Sequence, residues 1–410
     1  MVRILHFADI HLGMENYGRL DPATGLSTRV ADFLARYDEL VDYALHHDVD
    51  LVLFAGDAYK TRDPSPTYQR EFAKRLVRLV RGGIAVFLLV GNHDLPSARG
   101  RATTMEIYDT LAVEGVVVAR KPGVHRIETQ GGPVQVAAVP WLVRSHLLTR
   151  QDVQGLSVAQ VEQEMTRKLV AMVDTFAEDA AADPDTPAIL TAHATVSSAK
   201  FGSERNVMLG HDYVLPLGTL ARPPFRYVAL GHIHKHQALA DDPPVIYAGS
   251  LERIDFGEED QPKGFVVVDV EPDGVEWHFQ PVAARPFVTI RADTRGAELD
   301  PTAVTLQAIA ERSADLAEAV VRVIVQMRAE QEAAFRESDV RRALQDAGAG
   351  FVAAVSREVE RPVRLRFGGR FAEEMTPRQA LAAYLDAREM LPARKEVLLR
   401  YADELMGAGS

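Results

Sequence analysis

Short apolar runs alternate with amphipathic stretches along the first 285 or so residues. The runs Val2–Ala8, Val49–Ala55, Ile84–Val90, Ala188–Ala192, Tyr227–Leu230, Val245–Ala248 and Phe265–Val270 have the length and β-branched content of buried strands. Between the early runs the period becomes helical. Within Arg29–His47, the side chains Phe33, Leu34, Tyr37, Leu40, Val41, Ala44 and Leu45 fall on one face. Pro66–Arg81 repeats that spacing with basic residues outside, and Gly82-Gly83 stops it. Residues 157–180 predict a further helix, and the Asp/Pro-rich segment 183–187 a loop. Val116–Ala119, Val124–Glu128 and Val134–Val139 add strands in the middle of the chain. Helices between the first strands, then strands in series, predict a layered α/β body holding one large mixed sheet or two packed sheets.

Near Ala284-Arg-Pro-Phe287 the order changes to β-α-β-α-β, with Phe287–Arg291, Ala303–Ala317, Ala319–Gln326, Glu337–Ala347 and Val363–Phe367 as the elements. That order predicts a small α+β domain over 286–367. Gly368-Gly369 marks a hinge, and Thr376-Pro377 an N-cap followed by a first-turn proline. One helix then carries Leu381, Tyr384 and Leu385 on one side, and a second, from Pro392, carries Val397, Leu398, Tyr401 and Leu405. Two short amphipathic helices over 368–410 either dock back or offer an apolar face, and a partner is the expectation.

Composition narrows the chemistry. The 410 residues include no cysteine, which excludes disulfides, thiolate zinc sites, iron–sulfur clusters and cysteine nucleophiles. Any metal must be held by His, Asp, Glu, Asn or backbone oxygen. The net charge of −12 argues against nucleic-acid binding by global charge and leaves a local phosphate site open. The N-terminus turns polar at Asp9, too early for a secretory signal, and no apolar run reaches a membrane span. The cytoplasm is the expected compartment, with no membrane partner.

The chemistry sits just past the strands. Val2–Ala8 runs into Asp9-Ile-His11, Val49–Ala55 into Gly56-Asp57, and Ile84–Val90 into Gly91-Asn92-His93-Asp94. Ala188–Ala192 runs into His193, and Tyr227–Leu230 into Gly231-His232-Ile-His234. Ligands in α/β sheets gather at the carboxyl ends of strands, so neighbouring strands would make these groups converge. Asp9, His11, Asp57, Asn92, His193, His232 and His234 are too many for one tetrahedral ion and suit two ions sharing a carboxylate. A nitrogen and oxygen set without sulfur fits Mn²⁺, Fe, Zn²⁺ or Co²⁺ better than Ca²⁺ or Mg²⁺. Two ions roughly 3.5–4 Å apart clamp the attacking and leaving oxygens of phosphoryl transfer. Each motif alone is an ordinary turn or core histidine; the information lies in all five arriving in order at strand ends.

That series resembles the calcineurin-like metallophosphoesterase superfamily. Tyr227–Gln237, Tyr247–Glu258, Lys263-Gly-Phe265 and Arg285-Pro-Phe287 are further similar to its SbcD and meiotic-recombination-eleven nuclease branch. The resemblance implies an α/β nuclease domain of two packed mixed sheets flanked by helices over 1–285, a small α+β capping domain over 286–367 and C-terminal helices over 368–410. It implies one metal on Asp9, His11, Asp57 and His234, and another on Asp57, Asn92, His193 and His232, most simply two Mn²⁺. A hydroxide would attack phosphorus in line with the leaving sugar oxygen. His93 would stabilise or protonate the leaving group, and Asp94 would hold the His93 imidazole in its working tautomer.

The implied activities are 3′→5′ exonuclease on duplex DNA ends and endonuclease on single strands and hairpins. The implied partners are a second copy of the chain and an SbcC-type coiled-coil ATPase bound by the C-terminal helices. Rival readings are a metallophosphatase or cyclic-nucleotide phosphodiesterase on the same centre, and an inactive scaffold. The intact ligand set with His93 disfavours the scaffold.

Four features stay open at this level. Ala58-Tyr59-Lys60 departs from the aliphatic, aromatic, His-or-Asp order of the family, so Lys60 alters contacts beside an intact Asp57. The irregular stretch Gly13–Thr28 is either a substrate-facing loop or plain surface. His6 is expected in the core, His236 in a structural role, and His46, His47, His125, His146, His211 and His278 at structural or surface positions. Arg361, Arg364, Arg366 and Arg370, without an acid among them, are either a solvated strand edge or phosphate contacts.

Overall fold

The computed structural model describes all residues except 97–100, 150, 203–212, 272–273, 297–299, 361–375, 389 and 408–410. In chain order the strands are β1 (Val2–Phe7), β2 (Leu51–Phe54), β3 (Ala85–Leu89), β4 (Val116–Ala119), β5 (Gly123–Ile127), β6 (Val134–Val139), β7 (Ala188–His193), β8 (Thr195–Val196) and β9 (Val214–Leu215). They continue as β10 (Phe225–Gly231), β11 (Gln237–Asp241), β12 (Pro244–Tyr247), β13 (Gly264–Val270), β14 (Val275–Pro281), β15 (Phe287–Asp293), β16 (Val320–Arg328) and β17 (Phe351–Glu360). The helices are α1 (Thr28–His46), α2 (Pro66–Arg81), α3 (Glu106–Thr110), α4 (Arg144–Leu147), α5 (Val158–Ala181), α6 (Leu217–Leu220), α7 (Pro301–Glu311), α8 (Glu337–Asp346), α9 (Pro377–Ala387) and α10 (Pro392–Gly407).

Two six-stranded mixed sheets, ordered β14-β13-β1-β2-β3-β4 and β11-β12-β10-β7-β6-β5, pack face to face. This resolves the choice between one sheet and two. Leu51, Leu53, Phe87 and Leu89 of the first sheet meet Val136, Ala138, Ile189, Tyr227 and Ala229 of the second. Alternate residues of the first sheet point outward to α1 and α2, and those of the second to α5. Both faces of the central strands are thus covered, which is why they read as unbroken apolar runs. The helix starts follow local chemistry. Ser27 and Ser65 cap α1 and α2, and Ser157 with Gln160 forms a capping box at α5.

The three-stranded parallel sheet β15-β16-β17 carries α7 and α8 on one face over its own apolar cluster. Its third strand is Phe351–Glu360, not Val363–Phe367, which lies outside the described residues. The alanines and the charged end of Phe351–Glu360 hide a strand whose order comes from its long register with β16. Strands β11 and β14 also went unread. They pair antiparallel on β12 and β13 as edge strands, where alternating exposure dilutes the apolar signal. Gly368-Gly369, His211 and the arginines 361–370 lie outside the described residues.

Much of the Gly13–Thr28 stretch is exposed, but one residue anchors it. Tyr17 packs its ring against Phe256, Phe287 and Phe351, so at that residue the stretch joins the body to the third sheet. Helices α9 and α10 pack on each other through Leu385 and the ion pairs Arg378–Asp403 and Lys395–Asp386. Their residues Tyr384, Val397, Leu398 and Tyr401 stay exposed. Among the described residues no helix is long and apolar enough to cross a membrane.

Candidate metal centre

Parallel pairing brings the motif-bearing strand ends together. In the first sheet Phe7 pairs with Phe54, and Phe54 with Leu88, so Asp9, Asp57 and Asn92 leave adjacent strands at one edge. In the second sheet Gly231 pairs with His193, which puts His232 one residue beyond it. The two edges meet where Ala8 bridges Ser250.

All seven candidate ligands and His93 lie in one cluster. Asp57 Oδ2 sits between two imidazoles, 3.7 Å from His11 Nε2 and 3.4 Å from His193 Nε2. On one side His11 Nε2 lies 3.0 Å from His234 Nε2. On the other, Asn92 Oδ1 lies 3.0 Å from His193 Nε2 and 3.1 Å from His232 Nδ1. Asp9 accepts the His232 backbone N–H on both carboxylate oxygens, at 3.1 and 3.0 Å. The ring of His93 meets His11 edge-on at 4.8 Å. Asp9–His11–His234, Asp9–Asp57–His193 and His11–Asp57–His93 each bring ligand atoms close enough for one ion.

The backbone is strained where these groups leave it. Asp9, His11, Asp57 and His232 have φ of 52°, 48°, 64° and 102°, a left-handed region that L-residues rarely occupy. Each such residue costs roughly 1–3 kcal/mol and persists only when neighbours over-determine it. Here backbone bonds do so: Asp9 N–H donates to Gly56 O, and His11 N–H to Asp57 O. Gly91 is needed for close approach, since a Cβ there would come within 2.2 Å of Asp57 Oδ1. Gly56, with φ of 101°, passes under His193, and a Cβ would lie 2.4 Å from its Nδ1.

Second partners orient the imidazoles. His193 Nδ1 donates to Ala55 O at 2.7 Å, His93 Nδ1 to Lys60 O at 2.8 Å, and His234 Nδ1 to Glu258 Oε1 at 2.8 Å. Each leaves Nε2 for the cluster. The expectation for Asp94 is therefore corrected. Its carboxylate accepts N–H bonds from Asp57 at 2.8 Å, Ala58 at 2.9 Å and Gly91 at 3.0 Å, while the Lys60 carbonyl orients His93. Asp94 holds the strained turn at Asp57, because three converging backbone N–H groups attract a carboxylate more strongly than one neutral ring does. Lys60 acts here through its carbonyl, which any residue would supply.

Electrostatics mark the cluster as built for positive charge. Burial pushes the Asp9 carboxyl up to about 6, with Asp57 adding repulsion and His193 and His234 opposing. Burial and repulsion from Asp57 likewise raise Asp94 to about 6. Burial also penalises charge on Asp57, but His193 outweighs it and holds that carboxyl below the usual range. Burial opposes charge on His193, and attraction to Asp57 wins, raising the imidazole to about 9. Buried carboxylates with inward imidazole nitrogens and no sulfur form a donor set that fits divalent cations.

Three contributors were not read from the sequence. Trp141 lies 4.8 Å from the His232 ring and 6.1 Å from His193, as a wall on that side. Its signal was available, because Trp141 follows β6, which runs parallel to β7 and ends at the same edge. Glu258 is fully buried, and its other oxygen pairs with Lys263 Nζ at 2.7 Å. Burial disfavours the charged form, yet Lys263 and His234 outweigh it and hold the Glu258 carboxyl below its ordinary range. No local spacing announces this pair. Two further histidines, His6 and His236, have partners outside the cluster. His6 is buried 2.9 Å from the Tyr227 hydroxyl, and His236 stacks on Phe279 while Nδ1 donates to Tyr247 O at 2.9 Å.

A layered α/β body with paired carboxylates and imidazoles across its strand ends defines a dinuclear-metal phosphoester hydrolase. The chain belongs to the calcineurin-like phosphoesterase family, whose profile matches residues 2–236. Membership implies a dinuclear divalent metal centre. The chain is 31% identical over 270 residues to the SbcD subunit of the SbcCD nuclease of Escherichia coli K12, covering 63% of this chain and 62% of that protein. It is 28% identical over 312 residues to the SbcD subunit of the SbcCD nuclease of Rhodobacter capsulatus, covering 72% of each. It is 28% identical over 334 residues to the DNA double-strand break repair protein Mre11 of Haloferax volcanii, covering 81% of this chain and 62% of that protein. The chain therefore spans less than two thirds of the Escherichia coli and Haloferax relatives.

Proposed function

We propose that this protein is a Mn²⁺-dependent DNA phosphodiesterase, the nuclease half of an SbcCD-type complex in double-strand-break repair. It acts as a 3′→5′ exonuclease on duplex ends and as an endonuclease on single strands and hairpins. The observation that carries this reading is the position of Asp57 Oδ2 between the His11 and His193 nitrogens, with His93 at the rim.

Asp57 is assigned as the shared ligand, with Asp9, His11 and His234 on one side and Asn92, His193 and His232 on the other. Two bound divalent cations supply Lewis-acid charge to the phosphoryl oxygens and lower the pKa of water. The chain's own residues do the rest. The carbonyls of Ala55 and Lys60 and the carboxylate of Glu258 fix which imidazole nitrogen faces the substrate. His93 Nε2 is then free to hold a proton at the leaving oxygen. Trp141 excludes water beside His232.

The same reading divides the chain into a nuclease domain over 1–285, a capping domain over 286–367, and a C-terminal segment over 368–410. Exposed Tyr384, Val397, Leu398 and Tyr401 support α9–α10 as the surface for a coiled-coil ATPase. Exposed Val77 on α2 and Ile107 and Leu111 at α3 support a homodimer face, since Phe72 of α2 packs on Tyr108 of α3.

The test is incubation with Mn²⁺ and end-labelled duplex DNA, with p-nitrophenyl phosphate in parallel, for wild type and His93→Ala. The reading expects DNA cleavage by wild type, restored or raised by an SbcC-type partner, and its loss in His93→Ala. Hydrolysis of the small ester with DNA left intact, partner included, would assign a phosphatase instead.

A further inference from the structure

One short turn touches both the candidate metal centre and the three-stranded sheet. It is a one-turn 3-10 segment, Phe256–Glu258, with its flanks Asp255 and Glu259. On its inner side both oxygens of Glu258 are committed. Oε1 accepts from His234 Nδ1 at 2.8 Å, and Oε2 meets Lys263 Nζ at 2.7 Å and Ile254 N–H at 3.0 Å. Lys263 is anchored in turn on Ser250 Oγ at 2.8 Å and His234 O at 3.1 Å. A carboxylate held at both oxygens cannot rotate alone, so moving the turn moves the His234 ring.

On its outer side the same turn is gripped by β15 and β16. The Phe256 ring lies 4.9 Å from Phe287, with the Arg322 guanidinium 4.3 Å above it. Glu259 accepts the Thr289 backbone N–H at 2.6 Å and also its hydroxyl, and Arg322 Nε donates to Thr289 Oγ1 at 2.8 Å. A second path reaches the same half of the cluster. Tyr17 packs 5.5 Å from both Phe256 and Phe287, only six residues after His11. His11 and His234 face one another at 3.0 Å. The other half, His193, His232 and Asn92, is held instead by Ala55 O, the Trp141 ring and, through the His232 backbone N–H, the Asp9 carboxylate.

We propose that the turn Asp255–Glu259 is a one-sided coupling: the seating of the three-stranded sheet sets the His11–His234 metal position, through Glu258 as positioning residue, and leaves the His193–His232 position unchanged. This rests on the metal-centre reading above. Its consequence is regulatory. Any partner that shifts the β15–β17 sheet would tune one of two metal positions, and so switch activity without dismantling the centre.

The test uses the full chain carrying Trp277→Phe, which leaves Trp141 as the one tryptophan. Quenching of Trp141 by Mn²⁺ then follows the His193–His232 position, and electron paramagnetic resonance counts total bound Mn²⁺. Phe256→Ala and, separately, Arg322→Ala loosen the outer grip without touching Glu258. The expected result is on the order of ten-fold weaker binding of one Mn²⁺, the range for losing an outer partner of a ligand. Trp141 quenching should keep its midpoint in every variant, and Phe256→Tyr should keep the wild-type affinity of the other Mn²⁺. Both positions weakening together, or neither weakening, overturns the proposal. A metal-free readout separates this from the reading beneath it. The ¹⁵N signals of the His234 ring should shift in Phe256→Ala while those of His232 hold. Unshifted His234 signals overturn the coupling, whereas a wild type that binds no Mn²⁺ overturns the metal-centre reading. Melting curves, together with Arg322→Ala, keep the result readable if Phe256→Ala folds poorly.

Discussion

The core under the three-stranded sheet is built from Val288, Ile290, Val321, Val323, Val325 and Met327 against Val340 and Leu344. Among the described residues the buried polar groups of that unit are Thr294, Thr302, Thr305 and Gln331, none of them ionisable. The two-sheet body buries Asp9, His11, Asp57, Asp94, His193, His232, Glu258 and Lys263 within or beside one cluster. Its left-handed non-glycine residues include four of the cluster members. Both regions use parallel strands with flanking helices, so the fold does not demand this burden. Buried charge and strained backbone lower stability unless something binds there. The contrast separates a region shaped for stability from one shaped for chemistry, and substitutions in each should have opposite signatures.

The largest effect is expected at the shared carboxylate. Asp57→Asn should weaken Mn²⁺ binding and phosphoester hydrolysis by more than the roughly 10–100-fold that loss of an outer partner costs, because it removes a ligand from both positions. Its thermal stability without metal should fall near neutral pH, because the ionised carboxyl is held by His193 in the folded chain and Asn leaves that buried imidazole without its charged partner. Calorimetric Mn²⁺ titration and melting curves check both. An unchanged affinity would break the contrast.

Next come two substitutions with similar stability costs and opposite functional ones. Asp94→Asn should lose about 2 kcal/mol, since the carboxylate accepts three backbone N–H bonds and Asn offers one acceptor oxygen for them. It should also weaken Mn²⁺ binding, because the Asp57 turn loses its support. Val323→Ala should cost about 2 kcal/mol through its cavity and leave Mn²⁺ affinity unchanged. Urea melts beside Mn²⁺ titrations distinguish the two.

The smallest effect is a pH slope in the body that does not involve the cluster. Burial holds His6 neutral and lowers its pKa to about 3 from 6.5. Between those values the unfolded chain binds the proton and the folded chain does not, so His6 removes stability as pH falls below 6.5. The slope it contributes is about 1.4 kcal/mol per pH unit. The raised carboxyls of Asp9 and Asp94 slope the other way, so the informative quantity is a difference. Wild type minus His6→Gln, measured by urea melts from pH 7 to 5, should lose stability toward pH 5. A flat difference would show that His6 is not buried neutral.

Much of the fold was legible because its information is local. The strands β1, β2, β3, β7 and β10 are buried on both faces and therefore unbroken in sequence, and Ser27, Ser65, Thr376 and Pro66 mark helix starts within one turn. The cluster residues were legible because each follows its strand directly. What escaped depends on contacts between distant segments. Phe351–Glu360 is a strand by virtue of β16. Glu258 belongs to the site through His234, across 24 residues. Asp94 turned out to support Asp57 across 37 residues rather than its neighbour His93. Adjacency in sequence favoured His93, but the sharp turn after Gly91 points the two side chains at different partners.

The central claim is that the strand ends of the body assemble one two-ion centre around Asp57. Diffraction from crystals soaked in Mn²⁺, collected at the manganese edge, tests it most directly. The account predicts two anomalous peaks roughly 3.5–4 Å apart on either side of the Asp57 carboxylate, one beside His11 and His234 and one beside Asn92, His193 and His232. A single peak, or peaks away from Asp57, would contradict it.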